Sequence, residues 1–200
     1  MSSRKERQSE ATRRALVRVG RDLFAKRGFS DVSTEEIVRR AGVTRGALYH
    51  HFRDKRDLFR AVVEDVEQSV LERVAAAALT ESDPWEQQTA AVGAFLDVCL
   101  EPAVQRIILT DAPSVLGLAA WREIEATYGL AVVRAGLQNV MDAGLIDKQP
   151  VEPLAHLVLG ALTEGGLLIA RSEDREAARQ EVGDSFDRLL GGLRRTGARP

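Results

Sequence analysis

The twenty residues from Ser33 to Phe52, STEEIVRRAGVTRGALYHHF, constrain this chain more than any other stretch. Ser33 is placed to cap a helix, and Glu36 three residues on can complete a capping box. Ile37, Val38 and Ala41 give that helix one apolar side. Gly42 falls where the chain must leave helical geometry, a position suited to φ > 0. Val43 is an apolar plug and Thr44 an N-cap for a second helix. Ala47, Leu48 and Phe52 then recur at helical spacing, which leaves Arg45, Tyr49 and His50 on the opposite face. Two helices about a short glycine turn form a helix-turn-helix, whose second helix enters the major groove of DNA.

The charge distribution agrees. The net charge of the 200 residues is only −2. Residues 1–60 nevertheless hold 16 Lys/Arg against 8 Asp/Glu, and residues 61–200 hold 12 against 22. A basic head on an acidic body is the pattern of a nucleic-acid-binding protein. A hydrophobic content of 44% and a charged content of 29% describe an ordinary globular chain. Cys99 is the single cysteine, so no intrachain disulfide is possible, as expected of a reducing cytoplasm. MSSRKERQSE has no apolar core and no run of about 18 apolar residues follows, so neither a secretory signal nor a membrane span is expected.

Helical periodicity continues on both sides. Met1–Glu10 is a polar arm, expected to be mobile, whose Arg4, Lys5 and Arg7 either reach DNA phosphates or the minor groove or serve only as a solubilising tail. A helix is predicted over Ser9–Arg27 with Leu16, Val19, Leu23 and Phe24 as its stripe, ended by Gly28. Asp54 caps the next helix, predicted to about Leu79 with Phe59, Val62, Val66, Val70 and Val74 on one face. Lys55 lies in its first turn, where a cation opposes the helix dipole. A bound phosphate would reverse that balance. Asp83-Pro84-Trp85-Glu86 starts another helix, with Val92, Phe95, Leu96 and Cys99 as its stripe. Pro102 opens a short helix to about Leu109, which Asp111-Ala-Pro113 is expected to interrupt. Trp121–Ala143 is predicted helical, with Gly144 and Leu145 as a Schellman-like end.

The last two helices differ. From Pro153 to Ala170 the chain is apolar nearly all round, so both sides of that helix require burial. Gly160, Ala161, Gly165 and Gly166 permit close approach. Arg175–Leu193 carries Ala178, Val182, Phe186, Leu189 and Leu193. Two such helices per subunit would make a four-helix homodimer interface through residues 153–193. The tail after Thr196 is expected to fray.

The run Gly42–Phe59, GVTRGALYHHFRDKRDLF, resembles the DNA-binding signature of the TetR (tetracycline-repressor) family of bacterial regulators, and the likeness extends over about the first 60 residues. The resemblance implies an all-α fold of about nine helices. A three-helix helix-turn-helix DNA-binding domain would occupy residues 1–54, and a helical effector-binding and dimerisation domain residues 55–200. It implies a dimeric transcriptional regulator, a repressor released from a palindromic operator on double-stranded DNA by a small effector. The competing expectations are an activator, or an architectural protein binding DNA without sequence choice. Thr34, Thr44, Arg45, Gly46, Tyr49, His50 and Lys55 are the candidate DNA contacts, with Tyr49 similar to the family's phosphate-contacting tyrosine. Gly46 costs about 1 kcal/mol against Ala inside a helix, so it needs a reason, either close approach to DNA or a helix crossing.

For an effector the candidates are Gln88, Phe95, Cys99, Trp121, Tyr128 and His156, with Glu125, Asn139 and Glu164 as further polar groups. The apolar character of this set suits a hydrophobic or aromatic ligand, whereas core packing would use the same residues. No catalytic motif, cofactor or metal site is expected. His50 and His51 are adjacent and point about 100° apart on a helix, which suits no shared metal.

Overall fold

The computed structural model describes residues 4–194. Its helices are α1 (Arg4–Arg27), α2 (Thr34–Ala41), α3 (Arg45–His51), α4 (Lys55–Ala78) and α5 (Pro84–Val98), then a π-helix π1 (Val104–Asp111) and α6 (Ala112–Leu116). They continue with α7 (Leu118–Glu125), a second π-helix π2 (Ala126–Leu130), α8 (Ala131–Asp142), α9 (Val151–Arg171) and α10 (Arg175–Gly191). Because π1 runs into α6, and α7 through π2 into α8, these elements form nine helical rods, as expected for the all-α fold. Among the described residues the single β feature is the bridge between Ile146 and Arg194.

The chain forms two compact units that do not follow chain order. The first is Met1–Glu67 with Pro102–Arg122, and the second is Gln68–Glu101 with Glu123–Pro200. In the first, α1 and α4 supply most of the core: Leu16, Leu23 and Phe24 against Leu58, Phe59, Val62, Val63 and Val66, all buried. Val17 is buried with them, although the expected stripe ran through Val19, which is half-buried. Gly20 lets the two helices cross closely, since a Cβ there would stand 3.1 Å from Val62 Cγ2. Phe24, Phe29 and Phe59 form an aromatic cluster with ring centroids 5.0–5.9 Å apart.

In the second unit α5, α8, α9 and α10 pack around Val92, Leu96, Cys99, Leu137, Val140, Met141, Val158, Leu162, Ile169, Phe186 and Leu190. Asp83 caps α5 through Trp85 N and Glu86 N as its sequence indicates, and Gly144 at φ 72° ends α8 with Leu145 N donating to Val140 O. Gly165 lies against α10, where a Cβ would be 2.8 Å from Val182 Cγ1. A Cβ on Gly160 would meet nothing within 4 Å.

Several expectations need correction. Of the arm, residues 1–3 lie outside the described residues, as does the tail after Thr196, while Arg4–Glu10 already form the first turns of α1. Pro113 does not break the helix that begins at Pro102. It follows a π-helical stretch, whose wider turn relieves the clash of the proline ring with the preceding turn, and the break falls at Gly117 with φ 86°. By length and composition, α9 is also apolar enough to cross a membrane. Ala155, Val158, Leu162, Thr163, Gly165, Gly166 and Ile169 are instead buried against the rest of this unit.

Phe59 touches both other rings of the aromatic cluster and is fully buried. Phe59→Ala should therefore lower the unfolding free energy by about 3–5 kcal/mol. Urea denaturation measures this, and a loss below about 1 kcal/mol would show that the cluster is not a core contact.

Candidate nucleic-acid interface

Each helix end in the 33–52 stretch carries a capping hydrogen bond. Ser33 Oγ accepts from Glu36 N at 3.2 Å and Thr44 Oγ1 from Ala47 N at 3.1 Å. Gly42 adopts φ 67°, and the pair Val43 N to Val38 O and Gly42 N to Arg39 O completes a Schellman end. The second half of the capping box is replaced: Glu36 is held by Arg27 NH2 at 2.7 Å and by Arg40 NH2 at 3.1 Å.

These restraints fix which way α3 faces. Leu48 and Phe52 are buried, and Arg13 lies over the Phe52 ring at 5.6 Å. Tyr49 is 44% exposed, and Arg45 and His50 are exposed beside it. The Arg45 guanidinium stacks on the Tyr49 ring at 5.6 Å and approaches Glu35 Oε1 at 3.5 Å. Its contact with Tyr49, reinforced by the Glu35 charge, raises the Arg45 pKa further above its ordinary value. Glu35 also accepts from Thr34 Oγ1 at 3.3 Å. Its carboxyl is held below the usual range, first by its own backbone N–H and then by Thr34 and Arg45.

Gly46 sits on the same exposed surface. A Cβ there would meet only Thr44 Oγ1, at 3.9 Å, so no helix crossing inside the chain requires glycine. Thr44 spends a lone pair on its cap and keeps its hydroxyl proton for an outside acceptor. His51 is half-buried, and burial followed by the nearby His50 and Arg13 charges pushes its imidazole pKa down.

Lys55 is used differently from its neighbours. Its Nζ donates to Phe29 O and Val32 O, both at 2.9 Å, and stands 4.1 Å from the Phe29 ring centroid. Burial pushes its ammonium below the usual pKa, with Asp31 opposing. Two of its three donors thus close the turn between α1 and α2, leaving one for a further acceptor. Arg106 and Asp111, absent from the sequence-based set, grip the same turn: Arg106 NH2 lies 3.4 Å from Arg27 O, and Asp111 Oδ2 accepts from Phe29 N at 2.7 Å. No local pattern marks them, because their partners are 79 and 82 residues away.

The candidate effector residues divide. Trp121 belongs to the first unit, buried, with Arg122 over its ring and no hydrogen-bond partner for its Nε1. Gln88, Phe95, Cys99, Tyr128 and His156 belong to the second. Gln88 is buried on α5, where Gly136 of α8 makes room for its amide, and Cys99 is fully buried. Phe95 and Tyr128 are half-buried, whereas His156 stands on the exposed face of α9 and lines no interior space of this chain. Glu125, one of the further polar groups, is buried and accepts from Thr163 Oγ1 at 2.8 Å.

A capped helix-turn-helix with a polar, cationic outer face on an all-α body defines a helix-turn-helix DNA-binding regulator. Residues 16–62 match the profile of the bacterial regulatory proteins of the tetR family, and residues 85–193 match the tetracyclin repressor-like C-terminal domain. The chain belongs to the TetR family of transcriptional regulators. It is similar over 98% of its length, and 99% of the other chain, to a TetR-family regulator of Pectobacterium atrosepticum, with 34% identity and a TM-score of 0.86. It is 30% identical over 186 residues to the HTH-type transcriptional regulator SrpR of Pseudomonas putida, covering 88% of this chain and 84% of that one. Against the HTH-type transcriptional regulator AcrR of Shigella flexneri, identity is 40% over 70 residues, 35% of this chain and 33% of that relative.

Because two half-buried carbonyls depend on one ammonium, Lys55→Ala should cost about 1–3 kcal/mol of stability. Chemical denaturation of the variant tests it, and unchanged stability would mean that water replaces the ammonium without loss.

Proposed function

We propose that the protein is a homodimeric repressor that reads a palindromic operator through α3 in the bacterial cytoplasm and leaves it when a small, fairly hydrophobic effector binds. The observation that carries the DNA reading is the outer face of α3, where Arg45, Gly46, Tyr49 and His50 stand exposed opposite buried Leu48. Arg45 offers a donor fork that suits guanine O6/N7 or a phosphate. Tyr49, Thr34, Thr44 and the third donor of Lys55 face backbone phosphates, while His50 meets backbone or base edge. Functionally, residues 1–54 are the DNA-binding head and residues 55–200 the effector and dimerisation body, although the packing unit of the head also takes in Pro102–Arg122.

For the effector, the supporting features are Gln88, Phe95, Cys99 and Tyr128, a mainly apolar set with one amide among the helices of the second unit. Repression follows from linkage: an effector that prefers the conformation unable to hold DNA weakens DNA binding by the factor that DNA weakens its own.

The dimer is supported by the outer faces of α9 and α10. Leu157 is 72% exposed, Leu168 53% and Leu189 55%, and Gly160 and Glu164 lie on the same side of α9. An apolar face left wet on a helix otherwise buried suits a second copy of the chain.

Two substitutions on α3 test the DNA interface together. Gly46→Ala should raise thermal stability by up to about 1 kcal/mol, since alanine favours the helix and meets open space. It should still weaken DNA binding, because the methyl group intrudes where the backbone of DNA approaches. Arg45→Ala should weaken specific binding by about 1–3 kcal/mol without lowering the melting temperature. Gel shifts and melting curves measure both, and normal DNA affinity in the two variants would place the interface elsewhere.

Leu168→Glu should convert the dimer to a monomer by burying an unpaired charge in the interface. Sedimentation velocity reads the mass directly. A variant that remains dimeric assigns the interface to another surface.

A further inference from the structure

The turn between α1 and α2 carries the helix-turn-helix, and its own residues do not satisfy its backbone. Around Gly28, which adopts φ 80° and donates to Phe24 O, Arg27 O, Phe29 N, Phe29 O, Asp31 O and Val32 O are bonded by side chains. Arg27 reaches Asp31 O at 2.5 Å, and Lys55 takes Phe29 O and Val32 O. The other two groups, Arg27 O and Phe29 N, are taken from the π1 helix, by Arg106 and Asp111.

We infer that Asp111, supported by Arg106, is a positioning residue for DNA recognition, fixing from π1 the turn that orients α2 and α3. This rests on the proposed reading of α3 as the DNA-binding helix. Asp111 Oδ2 accepts the half-buried Phe29 N–H at 2.7 Å, the short distance of a charge-assisted bond. Arg106 Nε lies 3.7 Å from the same oxygen and so holds the carboxylate while its NH2 reaches Arg27 O. The π geometry makes this grip possible. Positions five apart point about 140° away from each other on an α-helix. In a π-helix, whose backbone bonds join i to i+5, they share a face. Gly28 is part of the same fit, because a Cβ there would fall inside the Arg106 guanidinium. Phe29 itself packs on Phe24 and Phe59, so a turn released from Asp111 would shift the ring that seats α1 on α4.

A contact that only added stability would lower affinity for all DNA alike through loss of folded protein. A positioning contact affects the specific complex alone, since non-specific binding needs charge rather than register. The probes are a duplex selected by the wild-type protein from a random-sequence pool and a scrambled duplex of the same composition. Asp111→Ala, confirmed folded by circular dichroism, should raise Kd for the selected duplex about tenfold or more and change Kd for the scrambled one less than about twofold. Arg106→Ala should act in the same direction by a smaller factor, and decides alone if Asp111→Ala does not fold. Hydrogen exchange should show reduced protection in residues 33–52 of either variant, with protection of the second unit unchanged. Equal changes in both Kd values, or an unaltered ratio, would overturn the inference. Should the wild type select no duplex, the proposed function falls, and exchange still decides the positioning role: unchanged protection across residues 33–52 overturns it.

Discussion

Helices of eight and seven residues do not hold their shape alone in water, where even good helix formers need about 12–15. The reading surface of this protein is made of two such helices, so its geometry is lent by what it packs on. Ile37 from α2 and Leu48 from α3 are fully buried, and Phe52 closes the end of α3 with its amide bonded to Leu48 O. Ser33, Gly42 and Thr44 settle the chain direction between them. The 24-residue α1 and α4 are the frame, locked by the Gly20 crossing and the three phenylalanine rings.

What the sequence revealed follows from the range of each interaction. Ser33, Thr44 and Asp83 cap donors two or three residues away, so residue type and spacing identify them. The faces of α3 and α4 follow from helical period alone, and Leu48, Phe59, Val62 and Val66 are buried as expected. Glu36 looked like half of a capping box because only near neighbours were visible, and Arg27, nine residues away, captures it. Asp111 carried no signal at all, since a carboxylate bonding one backbone amide 82 residues distant leaves no periodic trace. Pro113 misled for a related reason: the rule that proline ends a helix assumes α geometry, and π1 precedes it.

α9 shows a pattern read correctly in kind and differently in place. An all-round apolar helix requires burial on two sides, and one side is met within the chain by Leu96, Val182 and their neighbours around Gly165. The other carries Leu157, Leu168 and His156 outward. Placing His156 among interior ligand candidates treated apolar sequence neighbours as spatial neighbours. On a helix the residues beside it in space are Gly160 and Pro153, four and three positions away, not Leu157 alone.

The donors proposed to face DNA are already partly engaged within the chain, and on that proposal this bears on specificity. Glu35 takes both the Arg45 guanidinium and the Thr34 hydroxyl, the same donors that a phosphate or a base edge would use. If DNA takes these donors as proposed, it displaces a carboxylate and then tolerates it nearby, a penalty that would fall on every sequence alike. On the proposed reading of α3, a site returning bidentate bonds to Arg45 would recover more than that penalty. Stacking on Tyr49 limits the rotamers Arg45 loses on binding, so the guanidinium exchanges partners without being ordered afresh. A head with a clear excess of cations would bind any duplex through charge. The acidic residue at the start of α2 works against that tendency and leaves discrimination to geometry.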